Sequence, residues 1–127
     1  MQARRLDGFH WPARFAYIKI DVEGAEQLVL QGSEQLLREA PPMVWSFEWL
    51  NTQQRLGSSK AALLEAFANW RYQFFLYRPA LNRLVPFIAD ANGHFPRRDD
   101  DNILAIHSGA IAVVARRLCG VSPELNR

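Results

Sequence analysis

Two runs that suit strands covered on both faces, residues 15–22 (Phe-Ala-Tyr-Ile-Lys-Ile-Asp-Val) and 43–49 (Met-Val-Trp-Ser-Phe-Glu-Trp), flank one amphipathic stretch. No other feature constrains the fold as strongly. Aromatic and β-branched residues dominate both runs, as strands buried from two sides require. Between them Ala25, Leu28, Val29, Gly32, Leu36 and Leu37 recur at helical spacing from residue 24 to about residue 39, where Pro41 and Pro42 end the pattern. Strand, helix and strand at this separation make a right-handed crossover between parallel strands. Gly32 lowers helix propensity, and its place on the apolar stripe predicts close approach of the helix backbone to the sheet.

The pattern then repeats. Ser58 or Ser59 is placed to cap a second helix whose Leu63, Leu64, Phe67 and Trp70 share a face. Residues 72–77 read as a third strand, 79–83 as a turn, 84–88 as a short extended piece and 103–107 as a final strand, with an irregular polar loop over 89–102. Ser108 is expected to cap a short terminal helix reaching Leu118, stopped by Gly120 and Pro123. The 127 residues, 49% hydrophobic, suffice for one packed domain.

Charge and cysteine content narrow the setting. A formal charge of +2 comes from arginines scattered singly or in pairs (Arg4/Arg5, Arg97/Arg98, Arg116/Arg117), so neither a nucleic-acid nor a membrane partner is expected. Cys119 is the only cysteine, which excludes a disulfide within one chain and fits a reducing compartment. With no leader-like segment and no long apolar run, the expected location is the cytoplasm.

Open parallel sheets bind ligands beyond the carboxyl ends of their strands. Asp21 ends the first strand, Glu23 opens the helix after it and Glu48 ends the second strand, so three carboxylates fall on one edge. Such a group suits proton abstraction or a hard cation. Packing offers little account of Asp21 at a central strand end, whereas Glu23 is better explained by the helix dipole and Glu48 as well by an arginine partner. His10, His94 and His107 lack metal-ligand spacing, and the run from Arg97 to Asp101 is more simply a self-neutralising loop, so no metal site is expected. His94, beside an Asn-Gly turn, can serve as a proton acceptor only by virtue of its loop position.

The segment Ile18-Lys19-Ile20-Asp21-Val22-Glu23-Gly24-Ala25-Glu26, followed by Val29-Leu30-Gln31-Gly32, resembles the FkbM-type family of S-adenosylmethionine-dependent methyltransferases. The similarity extends from Leu6-Asp7 through Glu48 and Trp70-Arg71-Tyr72, where the family usually carries Gly-Tyr, to Asn102-Ile103-Leu104, or about residues 6–107. Residues 108–127 read as a C-terminal extension. The resemblance implies an α/β fold, the C-terminal half of a Rossmann-like class I methyltransferase, with parallel strands, crossover helices and a final antiparallel strand. It also implies S-adenosylmethionine as methyl donor and a hydroxyl oxygen of a sugar, lipid or natural product as acceptor. Asp21 matches an acidic position bordering donor and acceptor; Glu23 and Glu48 match further acidic positions of the family.

The chain departs from the family where the donor is held. No Gly-x-Gly turn occurs, and the motif strand begins too early for the preceding strands of the donor half, so the chain reads as a partial domain over residues 1–127. The first strand is then left with an unpaired edge, which predicts either a missing N-terminal half or a second chain covering it. Two other readings compete with O-methyl transfer: a non-catalytic remnant or interaction module, and a metal-dependent phosphotransfer or hydrolysis domain built on Asp21 and Glu48.

Overall fold

A computed structural model describes residues 2–22, 24–49, 60–88 and 101–122. Among the described residues, five strands form one sheet: β1 (Tyr17–Ile20), β2 (Val44–Trp49), β3 (Tyr72–Arg78), β4 (Arg83–Pro86) and β5 (Asp101–His107). Four helices accompany them: α1 (Glu26–Gln31), α2 (Glu34–Glu39), α3 (Lys60–Asn69) and α4 (Ile111–Arg116). The spatial order is β1-β2-β5-β3-β4. β1 and β2 are parallel, while β5 enters between β2 and β3 antiparallel to both. β1, β2 and β3 therefore share one direction, and the expected final antiparallel strand is present. Residues 84–88 do more than extend the chain, because β4 forms an antiparallel ladder with β3 after Asn82 turns the backbone at φ +47°.

The core lies mainly between the sheet and the α1 and α3 helices. Trp45, Phe47, Ile103 and Ala105 point inward from the central strands with no solvent exposure, and Leu63, Leu64 and Phe67 of α3 meet them. Phe67 stacks on Phe47 at 5.3 Å and packs edge-on against Trp45, Tyr72 and Phe74. A second cluster on the opposite sheet face joins Val44, Phe75, Leu84 and Ile106 to Ile111, Val114 and Leu118 at α4. Tyr72 ties the first cluster to the chain entering β2: its hydroxyl donates to the Pro42 carbonyl at 2.5 Å and accepts from Trp45 Nε1 at 3.1 Å. Burial pushes the Tyr72 phenol up to about 12, against the opposing influence of the Trp45 hydrogen bond and the Arg14 charge, so it stays a neutral donor.

The stretch predicted as one helix over 24–39 is two. Its break falls at Gly32 and Ser33, where the Gly32 N–H closes α1 onto the Leu28 carbonyl at 3.0 Å and the buried Ser33 hydroxyl donates to the Val29 carbonyl at 2.6 Å. Asp7 supplies the missing cap from far away in sequence: its carboxylate accepts the Gln35 and Leu36 N–H groups at 3.1 and 3.0 Å, satisfying the free amides at the start of α2. Capping of this kind is worth about 1 kcal/mol. Gly32 was expected to let the helix approach the sheet. Instead it faces the N-terminal segment, where an added Cβ would meet Arg5 Cα at an ordinary 3.5 Å.

Ser108 was expected to cap the terminal helix. Its hydroxyl donates to the Arg71 carbonyl at 2.6 Å instead, and the His107 ring takes the cap position by accepting the Gly109 N–H at Nδ1. Burial, reinforced by the charges of Arg14 and Arg71, holds the His107 imidazole below its ordinary range, which keeps Nδ1 available as an acceptor. The proposed caps Ser58 and Ser59 lie outside the described residues.

Arg71 connects α3 to β3 in the left-handed region at φ +69°. The family resemblance puts a glycine there, and an L side chain in this region costs about 1 kcal/mol. Arg71→Gly is therefore expected to raise the unfolding free energy by roughly 0.5–1 kcal/mol, because relief of backbone strain exceeds the added freedom of the unfolded chain. Urea denaturation of the two proteins measures this, and a lower midpoint for the glycine variant would assign the arginine side chain a stabilising contact.

Candidate active site

The register of β1 against β2 pairs Ile20 with Phe47, so Asp21 and Glu48 each follow one end of that pair at adjacent carboxyl ends. On the other side of β2, Glu48 stands opposite Asn102 of β5. Asp21, Glu48 and Asn102 thus come from three neighbouring strands to one end of the sheet. Asp21 is exposed and Glu48 half-buried. Among the described residues neither carboxylate makes an ion pair, so the arginine partner considered for Glu48 is not seen. Glu23 lies outside the described residues, as do His94 and residues 97–100.

The chain leaves β1 by a tight turn that the motif residues account for one by one. Val22 accepts the Ala25 N–H at 3.2 Å, and Gly24 sits at φ +102°, a conformation open to glycine and strained for any other residue. Glu26, only 5% exposed, reaches back from the first turn of α1 to accept the Gly24 N–H at 3.2 Å. This buried carboxylate was not singled out as a structural residue in the sequence, although it belongs to the motif. Its reach-back resembles the reciprocal half of a capping box. Glu26 and Gly24 therefore fix the turn that presents Asp21.

Two hollows adjoin this end of the sheet. One, of about 730 Å³, runs along the edge of β1 between Ile18, Ile20, Asp21 and Val22 on one side and Leu28 and Val29 on the other, with Arg4 and Arg5 from the N-terminal segment. The other, of about 500 Å³, lies on the sheet face away from α1 and α3 and is lined by Tyr17, Lys19, Ser46, Tyr77, Asn102 and Leu104. Asn102 was not chosen as a candidate from sequence. It was readable only as part of the Asn102-Ile103-Leu104 resemblance, because its place at the site depends on the register of β5 against β2. His10 and His107 lie away from these groups: His10 lines a hollow with Trp11, Gln35 and Glu39, and His107 donates its backbone N–H to Met43 at the start of β2.

Among the described residues no three His, Cys, Asp or Glu side chains gather closely enough to hold a metal ion. No helix among them is long and apolar enough to cross a membrane. What the fold and the strand ends define is an α/β protein with a five-stranded sheet, compatible with a methyltransferase-like fold and carrying two carboxylates, without an ion pair among the described residues, at adjacent parallel strand ends.

Comparison with known families agrees with this class: the methyltransferase FkbM domain matches residues 1–74, which span β1, α1, α2, β2, α3 and the start of β3. The chain belongs to the FkbM methyltransferase family. Comparisons with curated proteins and with solved structures returned no match.

Proposed function

We propose that this chain is the acceptor-side half of a Rossmann-like methyltransferase that moves a methyl group from S-adenosylmethionine to a hydroxyl oxygen of a sugar, lipid or natural product. The observation carrying the reading is the pair Asp21 and Glu48 at adjacent carboxyl ends of parallel strands, within a chain of this family. Membership implies S-adenosylmethionine dependence in general. The antiparallel β5 between β2 and β3 adds support, as the expected last strand of such a sheet.

The residues of the chain fit only one side of that reaction. No Gly-x-Gly turn occurs in the sequence to cradle the adenosyl group, so no donor-binding step is derived from these residues. The donor, when bound, supplies an electrophilic methyl on sulfur. Asp21, exposed and without a described partner, is the group suited to receive the proton of the acceptor hydroxyl. Glu48 and Asn102, facing each other across β2 and β5, are suited to hold the acceptor oxygens by hydrogen bonds. Glu23 remains a third candidate at this edge, carried by its place in the motif.

Titration of the chain with S-adenosylmethionine tests the reading. Binding weaker than about 100 µM, that is, under roughly 5.5 kcal/mol, is expected of a chain that contacts the donor only at its methyl end. Micromolar affinity would mean that the donor site is complete here.

A further inference from the structure

We propose that the hollow of about 500 Å³ on the sheet face away from α1 and α3 is an acceptor subsite for an acidic sugar, whose ring lies between Tyr17 and Tyr77 and whose carboxylate or phosphate meets Lys19 and Ser46. The inference deepens the methyl-transfer reading and rests on it for the role of the ligand. The site itself rests on the hollow.

The sheet register builds its floor. Lys19 of β1 pairs with Ser46 of β2, Ser46 with Leu104 of β5, and Leu104 with Phe75 of β3, so these four side chains share one face. Tyr17, Asn102 and Tyr77 stand two residues along their strands from Lys19, Leu104 and Phe75 and belong to the same side. That face changes character along its length. Toward α4, Val44, Phe75, Leu84 and Ile106 are apolar and packed. Away from α4, lysine, serine, asparagine and two tyrosines surround Leu104. A face shaped to pack a further helix would continue the apolar pattern, and this one ends it. Every one of these side chains comes from a strand of this chain, so the chemistry of the floor is the same whatever lies above it.

Ser46 points to a ligand. It is only 3% exposed, yet its hydroxyl has no hydrogen bond among the described residues, whereas buried hydroxyls are ordinarily paired. A ligand oxygen at the floor supplies the missing partner. Lys19, its neighbour in the register, makes no ion pair among the described residues. Among those residues no carboxylate lines the hollow, because Glu48, on the same face, stands one row further along, opposite Asn102. An ammonium and a hydroxyl side by side, with an amide close by, favour a group that carries negative charge and several acceptor oxygens. The walls suit a sugar ring. Tyr17 and Tyr77 are 54% and 41% exposed, and the Tyr77 hydroxyl donates to Asn82 Oδ1 at 2.8 Å, which fixes the tip of that ring while its body stays accessible. Asn102 belongs both to this hollow and to the pair with Glu48, so a sugar held here extends toward the carboxylates at the strand ends.

Titration of the isotopically labelled chain with glucuronate, glucose-6-phosphate and glucose, without donor, tests the proposal. At least one of the acidic sugars is expected to bind about tenfold or more tightly than glucose, with amide shifts at Lys19, Ser46 and Asn102, and the tighter of the two identifies the anion. Lys19→Met is expected to weaken that binding about tenfold or more, and Lys19→Arg, which keeps the charge, to stay within a few-fold. Ser46→Ala is expected to weaken it about three- to tenfold without lowering the melting temperature, because alanine removes an unsatisfied buried hydroxyl. Circular dichroism checks that every variant is folded; should Lys19→Met fail to fold, Ser46→Ala decides. Glucose bound as tightly as the acidic sugars, no binding of either acidic sugar, or binding indifferent to both Lys19→Met and Ser46→Ala overturns the proposal. Because the donor is absent throughout, failure here leaves the methyl-transfer reading standing, and failure of the donor titration leaves the subsite standing.

Discussion

Truncating Phe67 to alanine is expected to lower the unfolding free energy by about 3–5 kcal/mol, the range for emptying a fully buried aromatic site. The side chain has no solvent exposure and contacts four rings, those of Trp45, Phe47, Tyr72 and Phe74, contributed by β2 and β3. No single neighbour can fill the space it leaves, because each ring is held by its own strand. Against a usual total of about 5–15 kcal/mol, this loss takes the chain to the margin of folding. Urea denaturation measures the change. Leu28→Ala provides the contrast, since Leu28 is 57% exposed and its loss is expected to cost under about 0.5 kcal/mol. A Phe67→Ala variant as stable as the Leu28 variant would show that α3 is not the lid of the main core.

The largest functional effect is expected at Asp21. In a methyl-transfer assay of the chain joined to a donor-binding segment, Asp21→Asn is expected to lower kcat by about 10²–10⁴, the usual share of a positioned base. Asparagine keeps the size and the hydrogen-bonding oxygen but cannot take the proton. The fold is not expected to respond, because Asp21 is exposed and bonded to nothing among the described residues. Unchanged thermal melting alongside the lost rate separates a chemical role from a structural one. Transfer within a few-fold of the parent would remove Asp21 as the base and shift attention to Glu23 or Glu48.

Much of this architecture is legible in the residues themselves. Strands β1 and β2 announce themselves through dense aromatic and β-branched runs, and the prolines at 41 and 42 end the helical pattern before the second strand. The parallel pairing follows from the length between them, and β1 and β2 do pair in parallel. Periodicity alone did not reveal that the helix over 24–39 is broken, because Gly32 and Ser33 preserve the spacing of Leu28, Leu36 and Leu37. The break is stabilised by Asp7, whose role depends on a contact spanning more than the whole βαβ unit's first strand. Ser108 misled for a similar reason. A serine before a helix reads as a cap, but here the Arg71 carbonyl, brought near by the β3–β5 ladder, competes for its hydroxyl.

At the site the same division holds. Asp21 and Glu48 could be placed at adjacent strand ends because each follows a readable strand joined by a short crossover. Asn102 could be read only as part of the resemblance before the last strand, since its position opposite Glu48 depends on the long-range antiparallel insertion of β5 between β2 and β3. Gly24 and Glu26 were visible as part of a motif, yet their work in shaping the turn needs the φ of +102° and the hydrogen bond of 3.2 Å to be understood. A motif read only as a family mark thus contains a physical division of labour: Gly24 bends the chain, Glu26 holds the bend, and Asp21 is presented at its start.

The measurement that bears most directly on the central claim follows backbone amide signals of the isotopically labelled chain during the S-adenosylmethionine titration. The account predicts weak binding, with shifts concentrated at Asp21, Val22 and Gly24 after β1 and at Phe47 and Glu48 on β2. Micromolar binding, or shifts confined to regions away from these strand ends, would contradict it.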